Sequence, residues 1–466
     1  MSGLFGNLEL SKRALFAQQA KITTTSHNIS NANTEGYSRQ DVVLEAGRPT
    51  DTVFGQLGNG VMIKQIKRQH DRLLFEHFIN ENSDASQWDR RNVLLGEIES
   101  ILNEPSEFGL SKSLTEFFNA WSELANHPEL KSMKINVVEK SKNLVDAFHY
   151  IDEEFSGLRQ RIADEVEDKV KKMNSYAKQI AELNVSIASI EYAQNRQAND
   201  LRDKRDQILK EMAKIADISY KEFRSGMIKV TLSGLSIVEN DQVYEIAMDR
   251  KTSTNDYDKI QILFPVHNNK KVTLRSGELK ALMDIRDDFL IEQLKKINQL
   301  AVNLVQQVNK LHKQGFTGTS INETSIDFFN PVINGAKDIQ LNYDILQNPE
   351  KVAPSKTGAP GDNAIAIEIA RLKDKKTMDN NQMTFSRYYD TFVSAIGQKA
   401  QESDKYRKNH EILLQQVQNF MESATGVQLD GELTDLIRYQ SSYQAAARLV
   451  TTIDKLLDTV INRMAT

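Results

Sequence analysis

The most regular pattern of apolar positions lies at the end of the chain. Leu436, Tyr439, Tyr443, Ala446, Val450, Ile453, Leu457, Val460 and Met464 step by 3, 4, 3, 4 without a miss. That spacing gathers them on one helix face and predicts a coiled-coil seam. Leu433, Leu449 and Leu456 add a second apolar flank, so the helix has room for more than one partner. Gly431 precedes it and Asp430 reads as its N-cap. The N-terminal segment answers with a thinner seam: Leu8, Leu15, Ile22 and Ile29 recur every seven residues. Between them stand Ser11, Gln18 and Thr25, while Ala14, Ala17 and Ala20 permit close approach of a partner helix.

The middle of the chain alternates between two periods. No proline falls between Pro128 and Pro265, and Gly157 is the only glycine between Gly109 and Gly226. Proline breaks helix interiors and glycine weakens them, so this gap permits a long helix. Val166, Met173, Tyr176, Ile180, Leu183, Ile187 and Ile190 supply its apolar face. A second long amphipathic helix is predicted from Glu278 to about Lys313, through Leu282, Ile285, Phe289, Ile297, Leu300, Leu304, Val308 and Leu311. Between these helices the period falls to two. Ile228, Val230 and Leu232 alternate with polar residues, as do Ile260, Ile262 and Phe264. Ser225-Gly226, Ser233-Gly234 and His267-Asn268-Asn269 read as turns. The stretch from Gly315 to Asp362 holds four prolines and reads as irregular, with a short strand near Ile339 to Tyr343.

Composition narrows the chemistry. The chain has 466 residues, 26% of them charged, with a net charge of −5 and no cysteine. Disulfides, thiolate nucleophiles and zinc–thiolate sites are excluded, and no basic excess points to nucleic acid. No run approaches 18 apolar residues, so no membrane insertion is expected. The N-terminus lacks a basic segment followed by an apolar core, so no Sec-type leader is expected. His70 and His77 lie seven apart, His27 and His127 stand alone, and no metal-ligand spacing appears. Gly55, Gly58 and Gly60 lack the order of a phosphate loop and read as a turn. Asp200, Asp203 and Asp206 with Arg202, Lys204 and Arg205 read as a solvated, salt-bridged helix face. With no nucleophile elbow either, neither an enzyme nor a cofactor is expected.

From His27 to Gln40 the chain reads HNISNANTEGYSRQ. This stretch must leave a helix and redirect the chain. Asn28, Asn31 and Asn33 can cap the last turn and hold a bent connector, and Gly36 allows positive φ before Tyr37. A plain helix end needs only one Asn or Gly, so the excess of amides points to contacts between subunits as well. Taken with Ala14-Leu15, Gln18 and Thr23 to Thr25, the stretch resembles the N-terminal signature of the axial proteins of the bacterial flagellum. The ending GVQLDGELTDLIRYQSSYQAAARLVTTIDKLLDTVI is similar to the matching C-terminal signature. Within the axial proteins the resemblance is to the FlgK family of hook-associated proteins. It is carried by Tyr37-Ser38-Arg39-Gln40, Gly58-Asn59-Gly60-Val61 with Arg68 and Asp71-Arg72, and Glu104-Pro105-Ser106. Gly109-Leu110-Ser111, Phe117-Phe118, the run Asn199 to Asp206 and Gly361-Asp362-Asn363 continue it over nearly the whole chain. The short β-rich insert and the thin stretch Gln314 to Gly318 depart from it, which implies that a second outer domain of longer relatives is missing.

The expected fold is mainly α: a long helical bundle and coiled coil built from both termini, with a small inserted β-rich domain. Residues 1–35 with 425–466 are expected to form a terminal coiled-coil layer. Residues 36–217 with 275–424 form a long helical domain, and 218–274 the insert, which carries neither terminal signature and should be replaceable by a linker. The resemblance implies a structural subunit of the junction ring between hook and filament, exported through the flagellar secretion channel. It thus belongs outside the cell, or in the periplasm of spirochaete-like cells. Implied partners are copies of itself, the hook protein, a second junction protein with the flagellin side of the filament, and a cytoplasmic export chaperone at the C-terminal helix. The N-terminal residues Leu8, Leu15, Ile22, Asn28, Ile29, Asn31, Asn33, Gly36 and Tyr37, with the C-terminal seam, are the expected assembly interface. The open alternatives are another axial subunit of hook or rod, and a soluble coiled-coil adaptor.

Overall fold

A computed structural model of the chain describes residues 2–52, 55–102, 109–194, 196–251, 257–317 and 326–459. Val460, Met464, Glu104-Pro105-Ser106 and Gly318 of the sequence reading lie outside them.

Helix α1 (Ser2–Ser30) is followed by a polar connector and then by strands β1 (Gln40–Ala46), β2 (Thr50–Thr52), β3 (Gly55–Leu57) and β4 (Val61–Arg68). β1 pairs antiparallel with β4, and β2 with β3, making one long hairpin. The sequence reading began a helical domain at residue 36; the hairpin corrects it. Its apolar residues are weak evidence of a strand because most stay in water: Leu57, Met62, Ile63 and Ile66 are all exposed. Main-chain pairing and the polar moorings described below hold it instead.

Helices α2 (Arg72–Leu102), α3 (Leu110–Asn126), α4 (Lys131–Gln194) and α5 (Asn199–Ile215) then build the body. The 64 residues of α4 span about 96 Å at 1.5 Å per residue. Its buried stripe of Val166, Val170, Met173, Ala177, Ile180 and Ile187 lies on the face that the periodicity predicted.

Strands β5 (Ile218–Glu222), β6 (Ile228–Leu232), β7 (Leu235–Glu239) and β8 (Gln242–Val243) form one antiparallel sheet in sequence order. β9 (Ala247–Lys251), β10 (Lys259–Phe264) and β11 (Lys270–Lys271) form a second, in the order β11-β10-β9. Ser233-Gly234 and Asn268-Asn269 take the positive φ that their turn reading required. Inward-facing Ile228, Val230, Leu232, Ile260, Ile262 and Phe264 are buried in one core continuous with that of the helices. Two asparagines of α4 fasten the sheets. Asn184 donates to the carbonyls of Ile228 and Asn240 and accepts from Ile228 N–H; Asn174 exchanges a pair of hydrogen bonds with Ile246.

The second predicted long helix is α6 (Glu278–Asp284) and α7 (Leu290–His312), joined without a break by one wide π-type turn, Ile285–Phe289. After it come the short α8 (Tyr343–Gln347) and α9 (Ala364–Ala370) in an otherwise irregular stretch. The strand expected near Ile339 to Tyr343 is reduced to a single bridge between Phe329 and Leu341, because Tyr343 already starts α8. Phe117, Phe118, Trp121, Phe328, Phe329 and Phe385 close the aromatic centre of the body.

Finally α10 (Phe385–Thr425) packs along α2, and α11 (Leu429–Asp458) returns along α1. α11 starts at Leu429 with Gln428 at the N-cap position, so Asp430 is a first-turn acid rather than the N-cap. There, with Glu432, its charge complements the helix dipole.

Candidate assembly interface

Four segments meet at Arg39. Its N–H donates to the carbonyl of Thr425 at the end of α10 (2.9 Å), and its carbonyl accepts from Gln69 just after β4 (2.7 Å). Its guanidinium reaches Glu432 in the first turn of α11 at 2.5 Å, with Asp435 at 3.7 Å. Burial opposes the charge on Arg39, but Glu432 more than offsets it and raises the guanidinium's pKa.

Beside it stands Asn28, 1% exposed. Its Oδ1 accepts from the Gln40 N–H (3.0 Å) and the Tyr37 hydroxyl (2.8 Å). Its Nδ2 donates to the Gln40 carbonyl (2.9 Å) and to Glu432 Oε2 (3.0 Å). The amide therefore works within the chain, as a strut between α1, the hairpin and α11. That corrects the expectation that this amide reaches another subunit. Asn31 caps α1 by donating to the His27 carbonyl, and Asn33 is exposed. Of the connector residues only Gly36 uses positive φ (+80°). Burial, with Asp200, Asp203 and Glu432 adding to it, holds the Tyr37 phenol well above its ordinary pKa, so it remains a donor.

The connector rests on α5. Ser38 N–H donates to Asp203, Gln40 Nε2 to Asp200, and Asn199 bridges the Gln40 side chain and the Ile66 carbonyl. Arg68, at the end of β4, pairs with Asp203 at 2.8 Å and Asp206 at 2.6 Å. Burial disfavours its charge, but Asp206 and Asp203 outweigh that and raise its pKa. The neighbouring face of α5 looks the other way. Arg202 makes a two-pronged pair with Glu191 and another with Glu222, while Arg205 donates to Asn184 and to the Gly226 carbonyl. Arg202 and Arg205 stand three apart on one side of α5, each about 100° of helix from its sequence neighbour Asp203 or Asp206. The reading of this run as a solvated face is thus corrected: Asp203 is 7% and Arg205 1% exposed. Burial pulls the Arg205 pKa down to about 10, which still leaves it charged at neutral pH.

Beyond this knot α1 and α11 run antiparallel, with Asn28 against Glu432 and Lys21 over the ring of Tyr439. On α11 the contact follows the predicted seam: Ala446, Ile453 and Leu457 are buried, Leu436, Tyr439 and Val450 half-buried, and Tyr443 exposed. On α1 the small residues carry the contact, with Ser11, Ala17, Thr24 and Thr25 buried. Leu8, Leu15, Ile22 and Ile29 stay half-buried on its flank, so the expected N-terminal seam is displaced to the positions between them. Small side chains let the two backbones come close, which the large ones would prevent. What remains uncovered is apolar. Phe5 (53%) and Phe16 (64%) on α1, and Leu433 (47%), Ile437 (65%), Leu449 (58%) and Leu456 (49%) on α11, face solvent. Glu432 and Ile437 were missed from sequence, the first because one of two acids in a helix's first turn reads as a dipole partner. Among the described residues no helix is long and apolar enough to cross a membrane.

Residues 95–329 match the family model described as the flagellar hook-associated protein FlgK helical domain. The ends match two further models: residues 8–37 the flagella basal body rod protein, and 417–464 the C-terminal region of the flagellar basal body rod FlgEFG proteins. Flagellar hook-associated protein 1 of Bacillus subtilis is 29% identical, covering 100% of this chain and 99% of its own. That of Salmonella typhimurium is 24% identical over 96% of this chain and 98% of its own. The alignment with it runs over 543 positions against 466 residues here, so that relative carries segments this chain lacks. Among solved structures, the flagellar hook junction protein FlgK from Burkholderia pseudomallei superposes with a TM-score of 0.65 at 14% identity, over 75% of this chain and 100% of its own.

Proposed function

Since this chain belongs to the FlgK family of flagellar hook-associated proteins, we propose that it is the structural subunit that joins hook to filament. Its work is done by interface area and helical register, and no bond is made or broken. The observation that carries the reading is the terminal helix pair, whose outer face leaves Phe5, Phe16, Leu433, Ile437, Leu449 and Leu456 in water. Large apolar side chains left in water on both paired helices are candidates for cover by neighbouring subunits. The helical domain separates this reading from a hook or rod subunit, because the rod-type matches are confined to the ends. In a ring, copies of the chain cover one another's apolar flanks, with the hook on one side and a second junction protein and flagellin on the other. Before export, which requires an unfolded chain, a cytoplasmic chaperone covers the α11 seam.

Deletion of the gene in its host tests this. Hooks without filaments, with flagellin lost to the medium, are expected. Normal filaments in the deletion strain sink the proposal.

A further inference from the structure

The contact between α2 and the second half of α10 holds a group of side chains that the junction role does not use. Glu81 and Asp84 lie three apart on α2 and so share a face. His410 reaches them from α10. One donor atom from each of the three lies within 4.8 Å of the other two. His410 Nδ1 is 2.6 Å from Glu81 Oε1, and these two side chains are 19% and 12% exposed. The imidazole is held in plane by Trp88, with ring centroids 6.5 Å and planes 10° apart, and Trp88 in turn stacks on Tyr406 at 4.5 Å. Among the described residues no lysine or arginine pairs with Glu81 or Asp84.

A His–Glu hydrogen bond would need one carboxylate. Here a second acid lies beside the same imidazole, all three side chains half-buried, and the imidazole supplies at most one positive charge. Asp84 also takes a hydrogen bond from the Ser276 hydroxyl, which brings no charge; two carboxylates this close repel each other, and either a raised carboxyl pKa or a bound cation relieves that repulsion. We propose that Glu81, Asp84 and His410 bind a divalent cation of the zinc type that clamps α10 to α2. One imidazole nitrogen and two carboxylate oxygens are ligands such an ion takes at about 2.0–2.2 Å, with water in the fourth position. Tetrahedral ligands at that radius stand about 3.4 Å apart, so the present donors need shifts of only about 1 Å. A nitrogen ligand disfavours magnesium and calcium. The pairing is invisible in the sequence because His410 stands 329 positions from Glu81. Its consequence is mechanical. α10 ends at Thr425, whose carbonyl holds Arg39, so an ion here stiffens the strut on which the terminal pair is seated.

The test is titration of the chelator-treated full chain with zinc chloride, by calorimetry and by thermal melt. One ion per chain is expected, with the melt raised by about 3 °C or more at a hundredfold excess over Kd. Magnesium chloride should leave it unmoved. His410→Gln, Glu81→Gln and Asp84→Asn should each lose the bound ion and the shift while melting close to the untreated parent. If one of the three folds poorly, the other two decide. No binding to the parent chain overturns the proposal, as does undiminished binding in the variants.

Discussion

Asn28 uses its amide oxygen and nitrogen twice each within the chain, tying α1 to Tyr37, to both main-chain groups of Gln40 and to Glu432. Asn28→Ala would strand the Gln40 main chain and Glu432 in a buried place, at a cost on the order of 3 kcal/mol. Asn28→Asp keeps the shape but turns the Nδ2 donor into an oxygen facing the Gln40 carbonyl and the Glu432 carboxylate. It should therefore loosen the knot at least as much as Asn28→Ala, read as faster amide exchange in the first turns of α11. Equal exchange in Asn28→Asp and the parent would refute the strut. A second residue sets a pH limit on the body. His312 is 1% exposed; its Nδ1 lies 2.8 Å from the Ile326 carbonyl, and its Nε2 accepts from Ala353 N–H at 3.1 Å. These partners fix the neutral ring with the proton on Nδ1, and burial pulls its pKa down to about 4. Because the folded value lies below the unfolded one near 6.5, the stabilisation is complete above pH 6.5. It is lost as pH falls toward 4, by about 3 kcal/mol in all. His312→Gln should be less stable at pH 7 but show a shallower fall in melting temperature over that window. Of these residues the sequence exposed Asn28 and Gly36, because amides and a glycine after an apolar helix have few other uses. It hid the partners of Glu432 and Arg68, which are set only by tertiary packing.

At the scale of elements, long helices were the most legible because their apolar spacing repeats many times. Of the predicted α11 seam, Ala446, Ile453 and Leu457 are buried while Tyr443 stays exposed. The α1 face was misplaced. Periodicity finds large side chains, whereas close antiparallel contact selects small ones such as Ala17, Thr24 and Thr25. The β1–β4 hairpin went unread because its strands bury little, and alternation signals a strand only when one face is covered. The two flanks of α11 give contrasting predictions. Val450→Asp places a charge against α1, at several kcal/mol unless it finds a partner, and should undock α11. Leu449→Asp changes only a solvent-facing position and should leave the isolated chain as stable as the parent. Both should fail to enter the junction ring, and both should leave the melt of the helical body in place. Incorporation of Leu449→Asp at parental levels would show that the outer flank is not an interface.

For the whole molecule, the layout of a helical body and a small central β-rich region was legible, but not how firmly they are joined. The sequence made the insert look replaceable, since period-two strands between helices resemble a separate unit. Its sheets instead share one core with α4 and are pinned by Asn174 and Asn184. Excising residues 218–274 should therefore expose Met173, Ala177, Ile180 and Ile187 and yield an aggregating chain rather than a trimmed one, as size-exclusion chromatography will read. A soluble monomer would argue against the shared core. The termini behave in the opposite sense. The α1–α11 pair is anchored at one end by Arg39, Asn28 and Glu432, and its far end, where Ala446, Ile453 and Leu457 are buried, has no such polar anchor among the described residues. Isolated helices of this length are marginal in water, so stability should decay with distance from the knot. The knot should hold order outward to about Thr25 on α1 and Tyr439 on α11. In the isolated chain, amide exchange should be fast from Leu4 to Ala14 and from Val450 to Asp458, and slow around Asn28 and Glu432. Limited proteolysis should trim both ends and stop at the knot. In the assembled junction both ends should become protected, because neighbours cover Phe5, Phe16, Leu449 and Leu456. Slow exchange along the full length of α1 and α11 in a verified monomer would mean the pair is complete without neighbours, and assembly could not then be driven by ordering these ends.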